Sequence, residues 1–464
     1  MIGLILLFIS ILLYMNIKTR KYSILLFISF SYSGLRVLTD EVIGLKNIDI
    51  AIIYTCIICL FTLLYERKKI ETVLDKWCGI LMTTIFICAL FSFFHYGFSF
   101  MQILQGGRAY LILFSFWFLK RQSCKDIKWV IKILFFLTYI TAILYVLQVV
   151  FKVPLLPYGE TKIDSGTGLL RMYNEPIFLV QFIFLTCLFP EYVRTTYSNS
   201  KFIRFAPMVL LVALLLTQSR MYTFMSLAFL CIGLLIKGKM GKTFKIAILI
   251  TIVILPLSSV LSDRIEGANT SQDLKSVFSG DYKKSVTSGG ALEGSLSYRF
   301  AWVYERTEYL KNRPISEKLF GLGIISETQV STINKLYRFR IGIPDPESGY
   351  VQQIGTPDIS YGSFIASFGY LGSIVCILFW FSICRYLYKN RKLHPFVFSY
   401  SIYIMFCFVA SFTGGYLIFK NLVMPFLLIA LVNNKKYNIS INTNDSSFNR
   451  HNKSLYQPSV LGIK

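Results

Sequence analysis

The stretch SYRFAWVYERTEYLKNRPISEKLFGLG, residues 297–323, lies inside the one long polar segment of this chain, Asp263–Pro357. The sequence before and after that segment consists of apolar runs joined by short loops. A run of about 20 apolar residues is long enough to cross a bilayer as a helix. The sequence therefore predicts two groups of membrane helices separated by one large polar loop.

The overall composition is that of an integral membrane protein. Of 464 residues, 55% are hydrophobic, and the mean hydropathy is +0.58. The pattern predicts an all-α polytopic membrane protein with about 12–13 transmembrane helices and one large extracytoplasmic loop containing short helices. Three of the predicted spans, at 108–119, 176–189 and 205–217, are short. The predicted segments are 1–262 with about ten helices, 263–357 as the loop, 358–432 with about three helices, and 433–464 as a disordered cytoplasmic tail.

The net charge of +24 is distributed as a topology signal and does not indicate a nucleic-acid partner. Short loops on one side of the predicted spans hold 22 Lys and Arg residues, and those on the other side hold 6. Because positive loops remain in the cytoplasm, this asymmetry places Asp263–Pro357 outside. The loop itself holds 12 basic and 11 acidic residues, so it is close to neutral.

Cofactor signals are lacking in the sequence. None of the ten cysteines lies in the large loop, and the one CxxC pair, Cys56 and Cys59, lies in an apolar run typical of packing residues. The sequence contains no cluster with metal-ligand spacing and no Walker-type phosphate loop. We therefore expect neither a metal nor another cofactor.

The candidate residues form three outward-facing groups, and each group contains at least one arginine. Arg220 lies in LTQSRMYTF, a tight turn between two apolar runs, where it could bind a lipid-borne phosphate or simply anchor the helix at the interface. In the loop, Arg299 and Arg306 are two helical turns apart, and Trp302 lies between them. Tyr298 joins Trp302 in an aromatic stripe that could stack on sugars. An amphipathic helix packed on the membrane domain would show the same pattern.

The third group lies in the shorter loop before residue 176. Arg171 and Glu175 stand there at the mouth of the next span, where they could face a substrate or pair with each other. Candidates for a general base are Glu175, Asp358 and His95. Asp358 begins the helix that follows the large loop, which is also the position of a helix N-cap.

Three local patterns resemble the O-antigen polymerase/ligase family of membrane proteins. LTQSRMYTFMSLAFLCIGLL resembles the Ser-Arg turn and helix of that family, and RFAWVYERTEYLKNRPISEKLFGLG resembles its loop helix. SYGSFIASFGYLGSIVCILFW resembles the helix that re-enters the membrane after the loop. The resemblance covers roughly Leu211 to Trp380. The ligases usually have a His before the re-entering helix, and here Asp358 stands in that neighbourhood, which favours a polymerase.

The resemblance implies glycosyl transfer from a polyprenyl diphosphate carrier in the bacterial cytoplasmic membrane. Arg220 and Arg299, helped by Arg171 or Arg306, would bind the diphosphate, and Asp358 or Glu175 would take the proton of the acceptor hydroxyl. Expected partners are polyprenyl-diphosphate-linked oligosaccharides, membrane lipid, a chain-length regulator and a flippase of the same pathway. A ligase acting on finished polymer, or a flippase or other transporter, is the alternative.

Overall fold

In the part of the chain that the structure describes, the regular elements are helices and two short antiparallel hairpins. The computed structural model describes residues 2–37, 41–42, 45–65, 72–157, 161–163, 170–172, 174–197, 201–217, 219–239, 241, 270–288, 295–325, 337, 339–342, 353–354 and 359–434. The helices of its first half are α1 Ile2–Met15, α2 Arg20–Ser31, α3 Asn47–Tyr65, α4 Val73–Tyr96, α5 Phe100–Gly107, α6 Ser115–Leu119, α7 Cys124–Phe151, α8 Leu179–Leu188, α9 Pro190–Thr196, α10 Lys201–Arg204, α11 Ala206–Leu216 and α12 Arg220–Ile236. Those that follow are α13 Thr270–Ser279, α14 Tyr282–Ser288, α15 Ser295–Lys311, α16 Ile315–Phe320, α17 Ser360–Lys389, α18 Pro395–Ala410 and α19 Phe419–Asn434.

The remaining elements are short. Turns of 3-10 helix cover Ser33–Arg36 and Arg108–Phe114, and a third, Phe419–Leu422, forms the first turn of α19. Strands β1 (Glu41–Val42) and β2 (Leu45–Lys46) form one hairpin, with Glu41 opposite Lys46. Strands β3 (Thr161–Ile163) and β4 (Leu170–Met172) form the other, with Lys162 opposite Arg171.

Four helices in the described part of the chain are long and apolar enough to cross a membrane, namely α3, α4, α7 and α17. Six shorter apolar helices accompany them, within α1, α8, α11, α12, α18 and α19. Leu60, Leu64, Phe86 and Phe94 on α3 and α4 leave 61% to 77% of their surface exposed. Exposed apolar side chains in such numbers fit a lipid environment. The helices therefore indicate a membrane-associated protein, and the number of spans remains a prediction.

One predicted span has an interrupted structure. Residues 108–119 form the 3-10 turn Arg108–Phe114 followed by the five-residue helix α6. With a rise of about 2.0 Å per residue in 3-10 helix and about 1.5 Å in α-helix, the segment covers only about 20 Å. Residues 246–262, which the sequence predicts as the last span before the large loop, and the tail after residue 434 lie outside the described residues.

The ends of the long helices follow local sequence signals. At the start of α4, the Asp75 carboxylate accepts a hydrogen bond from the backbone N–H of Thr72 at 2.6 Å. The helix ends at Gly97, which adopts a left-handed φ of +68°. At the start of α7, the Ser123 hydroxyl accepts from the backbone N–H of Asp126 at 3.1 Å.

The described part of the large loop packs on the membrane helices through its own hydrophobic cluster. Helix α15 supplies Ala301, Trp302 and Leu310 to that cluster. The other members are Phe98, Ile103, Leu322, Ile325, Tyr337, Phe339, Ile341, Ile354 and Ala366. We call all of these residues together the loop cluster. Because Phe98, Ile103 and Ala366 belong to the helical domain or border it, the cluster fixes the loop onto α4, α5 and α17.

Two glycines join the loop to a break in α17. Gly369 interrupts the helix with φ +65° and ψ −167°, and Gly321 follows α16 with φ +80° and ψ −168°. A Cβ atom at Gly321 would lie 2.4 Å from the Gly369 nitrogen. The backbone N–H of Leu322 donates to the Ala366 carbonyl at 2.7 Å, so the loop backbone binds a carbonyl at the break.

Candidate functional site

A polar cavity of about 260 Å³ lies where five separate parts of the chain meet. These parts are the end of α2, the residues before α8, the turn between α11 and α12, helix α18, and the start of α19. The lining residues are Tyr32, Ser33, Met172, Glu175, Pro176, Ile177, Thr217, Ser219, Tyr222, Tyr403, Tyr416, Lys420 and Asn421. The cavity therefore combines one carboxylate, one ammonium group, several hydroxyls and an amide.

Glu175 is held in the wall by its neighbours in the sequence. The preceding residue, Asn174, is buried, and its side-chain amide donates to the Leu156 carbonyl at 3.3 Å. The side chain of Gln148 also donates a hydrogen bond to the Asn174 side-chain oxygen. Pro176 follows, and its carbonyl accepts from the backbone N–H of Leu179 in the first turn of α8. These contacts fix the backbone on both sides of the half-buried Glu175.

The turn between α11 and α12 supplies a second wall. Thr217 directly follows α11, and its hydroxyl donates to the Leu214 carbonyl at 2.7 Å. Ser219 is extended, and α12 begins at Arg220. Ser219 and Tyr222 line the cavity on either side of Arg220 in the sequence. The backbone of Arg220 is thus at the cavity wall, while its side chain lies outside the description.

Arg299 on α15 does not line the cavity, but it influences the pKa of one lining residue, Tyr416. Its Nε atom is buried and has no hydrogen-bond partner in the described part of the chain. Burial raises the pKa of the Tyr416 hydroxyl. The nearby Cys407 and Glu175 raise that pKa further, and Arg299 lowers it. Because such effects fall off with distance, Arg299 and Glu175 both lie near Tyr416.

Lys420 is the cation of the cavity that the sequence analysis did not single out. It lies in the first turn of α19, and the side chain of the next residue, Asn421, donates to the Tyr416 carbonyl at 2.8 Å. In the sequence, Lys420 is the single charged residue between Thr413 and Val432. That isolation is the signal that could have identified it.

Arg306 and Trp302 occupy different surroundings from the cavity. Arg306 is 1% exposed, and it donates to Glu305 at 2.7 Å and to the Gln353 carbonyl at 3.1 Å. Its guanidinium lies 4.2 Å from the ring centroid of Trp302 and 4.4 Å from that of Phe339. Trp302, also 1% exposed, packs against Gly362 of α17. The two side chains form the interior of the loop cluster, so neither is exposed to a ligand.

Tyr298 is half-buried against the same cluster. The remaining predicted site residues are placed only in part. Arg171 belongs to β4, directly before the cavity residue Met172, and its side chain lies outside the description. Asp358 lies outside the described residues.

His95 takes part in docking the loop. Its Nε2 atom lies 3.0 Å from the Glu317 carboxylate on α16, which also accepts two hydrogen bonds from Arg313, at 2.7 Å and 3.0 Å. Burial opposes ionisation of Glu317, and the bonds from Arg313 and His95 outweigh it, so the pKa of Glu317 is lowered. This cluster joins the loop to the end of α4.

The described residues contain no group of three or more His, Cys, Asp or Glu side chains able to hold a metal ion. The groups that line the cavity are a carboxylate, an ammonium group, hydroxyls and an amide, and such groups can bind an anion and transfer a proton. A search against models of known protein families finds no match for this chain, and neither does a search of curated proteins.

Proposed function

We propose that this protein polymerises polyprenyl-diphosphate-linked oligosaccharide repeat units by glycosyl transfer at the outer face of the bacterial cytoplasmic membrane. The product would be a surface polysaccharide, either O-antigen or capsule. The observation that carries the proposal is the cavity, which is lined by Glu175, by Lys420 and by the first turn of α12. Arg299 lies close enough to the lining residue Tyr416 to lower the pKa of its hydroxyl.

The cations would act on the diphosphate of the donor. The negative charge of the diphosphate increases as its bond to the sugar breaks. Fixed cations in a site that contains little water stabilise that charge. Arg220 and Arg299 are the residues that the family resemblance points to, and the cavity adds Lys420. Arg171, directly before Met172, is a further candidate, whereas Arg306 is already engaged by Glu305.

Glu175 would serve as the general base. The acceptor hydroxyl oxygen attacks the anomeric carbon of the donor sugar, and its proton passes to the Glu175 carboxylate. The bond from that carbon to the diphosphate oxygen breaks, and polyprenyl diphosphate leaves with the electron pair. No nucleotide sugar or metal enters this reaction, because two membrane-anchored sugars supply the proximity. Asp358 is the alternative base.

The proposed topology follows from the charge asymmetry of the loops. With 22 basic residues on one side and 6 on the other, the large loop lies outside and would cover the cavity. The donor and acceptor would be polyprenyl-diphosphate-linked oligosaccharides delivered by a flippase. A chain-length regulator of the same pathway would be a further partner.

The decisive experiment is complementation of a deletion strain, with the surface polysaccharide resolved on a gel. We expect Arg220→Ala, Lys420→Met and Glu175→Gln to reduce polymer ladders by about 10²-fold or more while single repeat units still reach the cell surface. The matched control is Arg194→Ala, because Arg194 is an arginine with 44% of its side chain exposed on α9, away from the cavity-lining residues.

The outcome separates the alternatives. Normal ladders from well-expressed Arg220→Ala and Glu175→Gln proteins would contradict the proposal. In the deletion strain, one repeat unit on the lipid core identifies a polymerase. Polymer of normal length that stays on the carrier identifies a ligase, and substrate trapped on the cytoplasmic face identifies a flippase or other transporter.

A further inference from the structure

One buried tyrosine of α7 contacts both walls of the polar cavity. Tyr145 is 0% exposed, and its hydroxyl oxygen lies 3.1 Å from the Met172 carbonyl oxygen and 3.3 Å from that of Leu216. Met172 lines the cavity and precedes Glu175 by three residues. Leu216 is the last residue of α11 and precedes Arg220 by four. The Tyr145 hydroxyl therefore joins the wall that carries the carboxylate to the turn that begins α12.

The two distances are those of one hydrogen shared by two acceptors. A tyrosine hydroxyl has a single hydrogen to donate, and both distances exceed the value of about 2.7–2.8 Å that is usual for O–H···O bonds. The Leu216 carbonyl belongs to the last turn of α11, where backbone carbonyls have no partner within their own helix. Removing the hydroxyl would therefore withdraw one donor from both walls at once.

A second side chain of α7 holds the first wall alone. Gln148 is also 0% exposed, and it follows Tyr145 by three residues, which places both on one face of the helix. Its side-chain oxygen accepts from the backbone N–H groups of Leu155 and Leu156, and its amide donates to Asn174, directly before the cavity carboxylate. Among the bonds that the structure describes, those of Gln148 reach one wall and those of Tyr145 reach both.

Both walls need such a link, because they are segments between helices. Glu175 lies before α8, and Ser219 lies between α11 and α12, so the packing of helices alone does not fix their separation. We propose that Tyr145 is a positioning residue, whose hydroxyl sets the distance between the Glu175 carboxylate and the first turn of α12. The effect on glycosyl transfer rests on the proposed function, since transfer requires a base and a cation at fixed positions.

The matched control is another tyrosine of the same helix. Tyr139 is 1% exposed, and its hydroxyl donates to the Phe202 carbonyl at 2.8 Å. Phe202 lies on α10 and does not line the cavity. Tyr145→Phe and Tyr139→Phe each remove one hydroxyl and keep the ring, so we expect a similar small decrease in melting temperature for both.

Hydrogen exchange of the full-length protein in nanodiscs tests the link without any substrate. The backbone N–H of Leu179 donates to the Pro176 carbonyl at the first wall, and that of Thr217 donates to Leu214 at the second. Tyr145→Phe should accelerate exchange about tenfold in the peptides of both walls, because the donor that joins them is gone.

The other variants should give different exchange patterns. Tyr139→Phe should leave both walls unchanged and accelerate exchange around Phe202. Gln148→Met should affect the wall before α8 and leave the turn at Thr217 unchanged. Unchanged exchange at either wall in Tyr145→Phe, or the same pattern in Tyr139→Phe, would overturn the inference.

A kinetic measurement separates positioning from a simple loss of folded protein. The rate of polymer formation from purified lipid-linked repeat units is measured per amount of folded protein. We expect Tyr145→Phe to lower the rate about tenfold or more, and to cause no further loss when Arg220 is already Ala, because both changes affect the same turn. Tyr139→Phe should change the rate less than about twofold in either background. Losses of Tyr145→Phe and Arg220→Ala that multiply would contradict the positioning role.

The exchange measurement needs no substrate, so the two proposals can fail separately. Faster exchange at both walls, with no polymer formed by the unmodified protein, would retain Tyr145 as the link between the walls and reject the polymerase. Polymer formation with unchanged exchange in Tyr145→Phe would retain the polymerase and reject the positioning role.

Discussion

At the scale of single residues, a buried arginine organises the described part of the large loop. Arg306 donates to Glu305 and to the Gln353 carbonyl, while Glu305 accepts from the backbone N–H groups of Arg340 and Ile341 at 2.7 Å and 3.1 Å. One ion pair thus connects α15 to two distant pieces of the loop. Such a pair is costly to break, because removing one partner leaves a charge in a desolvated place.

Replacing Arg306 by Met should therefore destabilise the loop. We expect a loss of about 3–5 kcal/mol in the free energy of unfolding, measured as faster proteolysis of the loop in membranes. The control on the same helix is Lys311→Met, because Lys311 pairs with Glu308 at the surface and is 69% exposed. Equal proteolysis of the two variants would contradict the assigned role of Arg306.

The contribution of Lys420 to the polar cavity can be tested with two substitutions of this residue. If this ammonium group contributes only charge, Lys420→Arg should keep most of the polymer ladder that Lys420→Met loses. If both substitutions leave the ladder intact, then Lys420 does not bind the donor. Expression of both variants is checked by immunoblotting.

At the scale of elements, the contact between Gly321 and Gly369 fixes the loop to a broken helix. A Cβ atom at Gly369 would lie 2.5 Å from the Gly321 nitrogen and 2.6 Å from the Leu319 carbonyl carbon. Backbone atoms cannot move away as a flexible side chain can. The positive φ of Gly369 adds a conformational cost for any other residue.

We expect Gly369→Ala to lower the thermal stability of the purified protein by several degrees. The matched control is Gly79→Ala in α4, where a Cβ atom would meet nothing within 4 Å. This substitution should be neutral or should stabilise by about 0.5–1 kcal/mol, because Ala favours helix more than Gly does. If the two variants melt alike, the backbone contact does not contribute to stability.

The contact of α16 with α4 should depend on pH through Glu317. The bonds from Arg313 and His95 lower the pKa of the Glu317 carboxyl below its usual value of 4.5, in spite of burial. Because folding lowers this pKa, the Glu317 carboxylate stabilises the protein above about pH 4.5. That stabilisation is lost as the pH falls through the pKa of Glu317 in the folded protein.

Glu317→Gln should remove that pH dependence and lower stability at neutral pH by about 1–3 kcal/mol. The measurement is the midpoint of thermal unfolding between pH 3 and 7, for both proteins. An identical slope in the variant would show that other carboxylates produce the acid sensitivity.

At the scale of the whole molecule, the side of the loop can be measured directly. None of the ten native cysteines lies in the loop, and six of them are buried. A new cysteine in place of Lys284, 81% exposed on α14, should react with a membrane-impermeant maleimide in intact cells. Lys392→Cys, in the loop between α17 and α18, should react only after lysis. The reverse pattern would invert the proposed topology and remove the outer-face mechanism.

Much of the helical architecture could be predicted because hydropathy is a local property. The long helices α3, α4, α7 and α17 follow apolar runs, and α15 ends near Pro314 as its sequence indicates. Hydropathy alone could not predict the structure of residues 108–119. Its composition is apolar, but its 3-10 geometry depends on packing against α3 and α19.

By itself, the sequence determined that this is a helical, membrane-associated protein and indicated the turn where Arg220 begins α12. Both follow from the composition of short windows. Only the tertiary structure decided that Trp302 and Arg306 are interior residues and that Glu175 shares a cavity with Lys420. Burial and proximity arise from contacts between segments far apart in the chain, and no local pattern encodes which of two arginines on one helix will face inward.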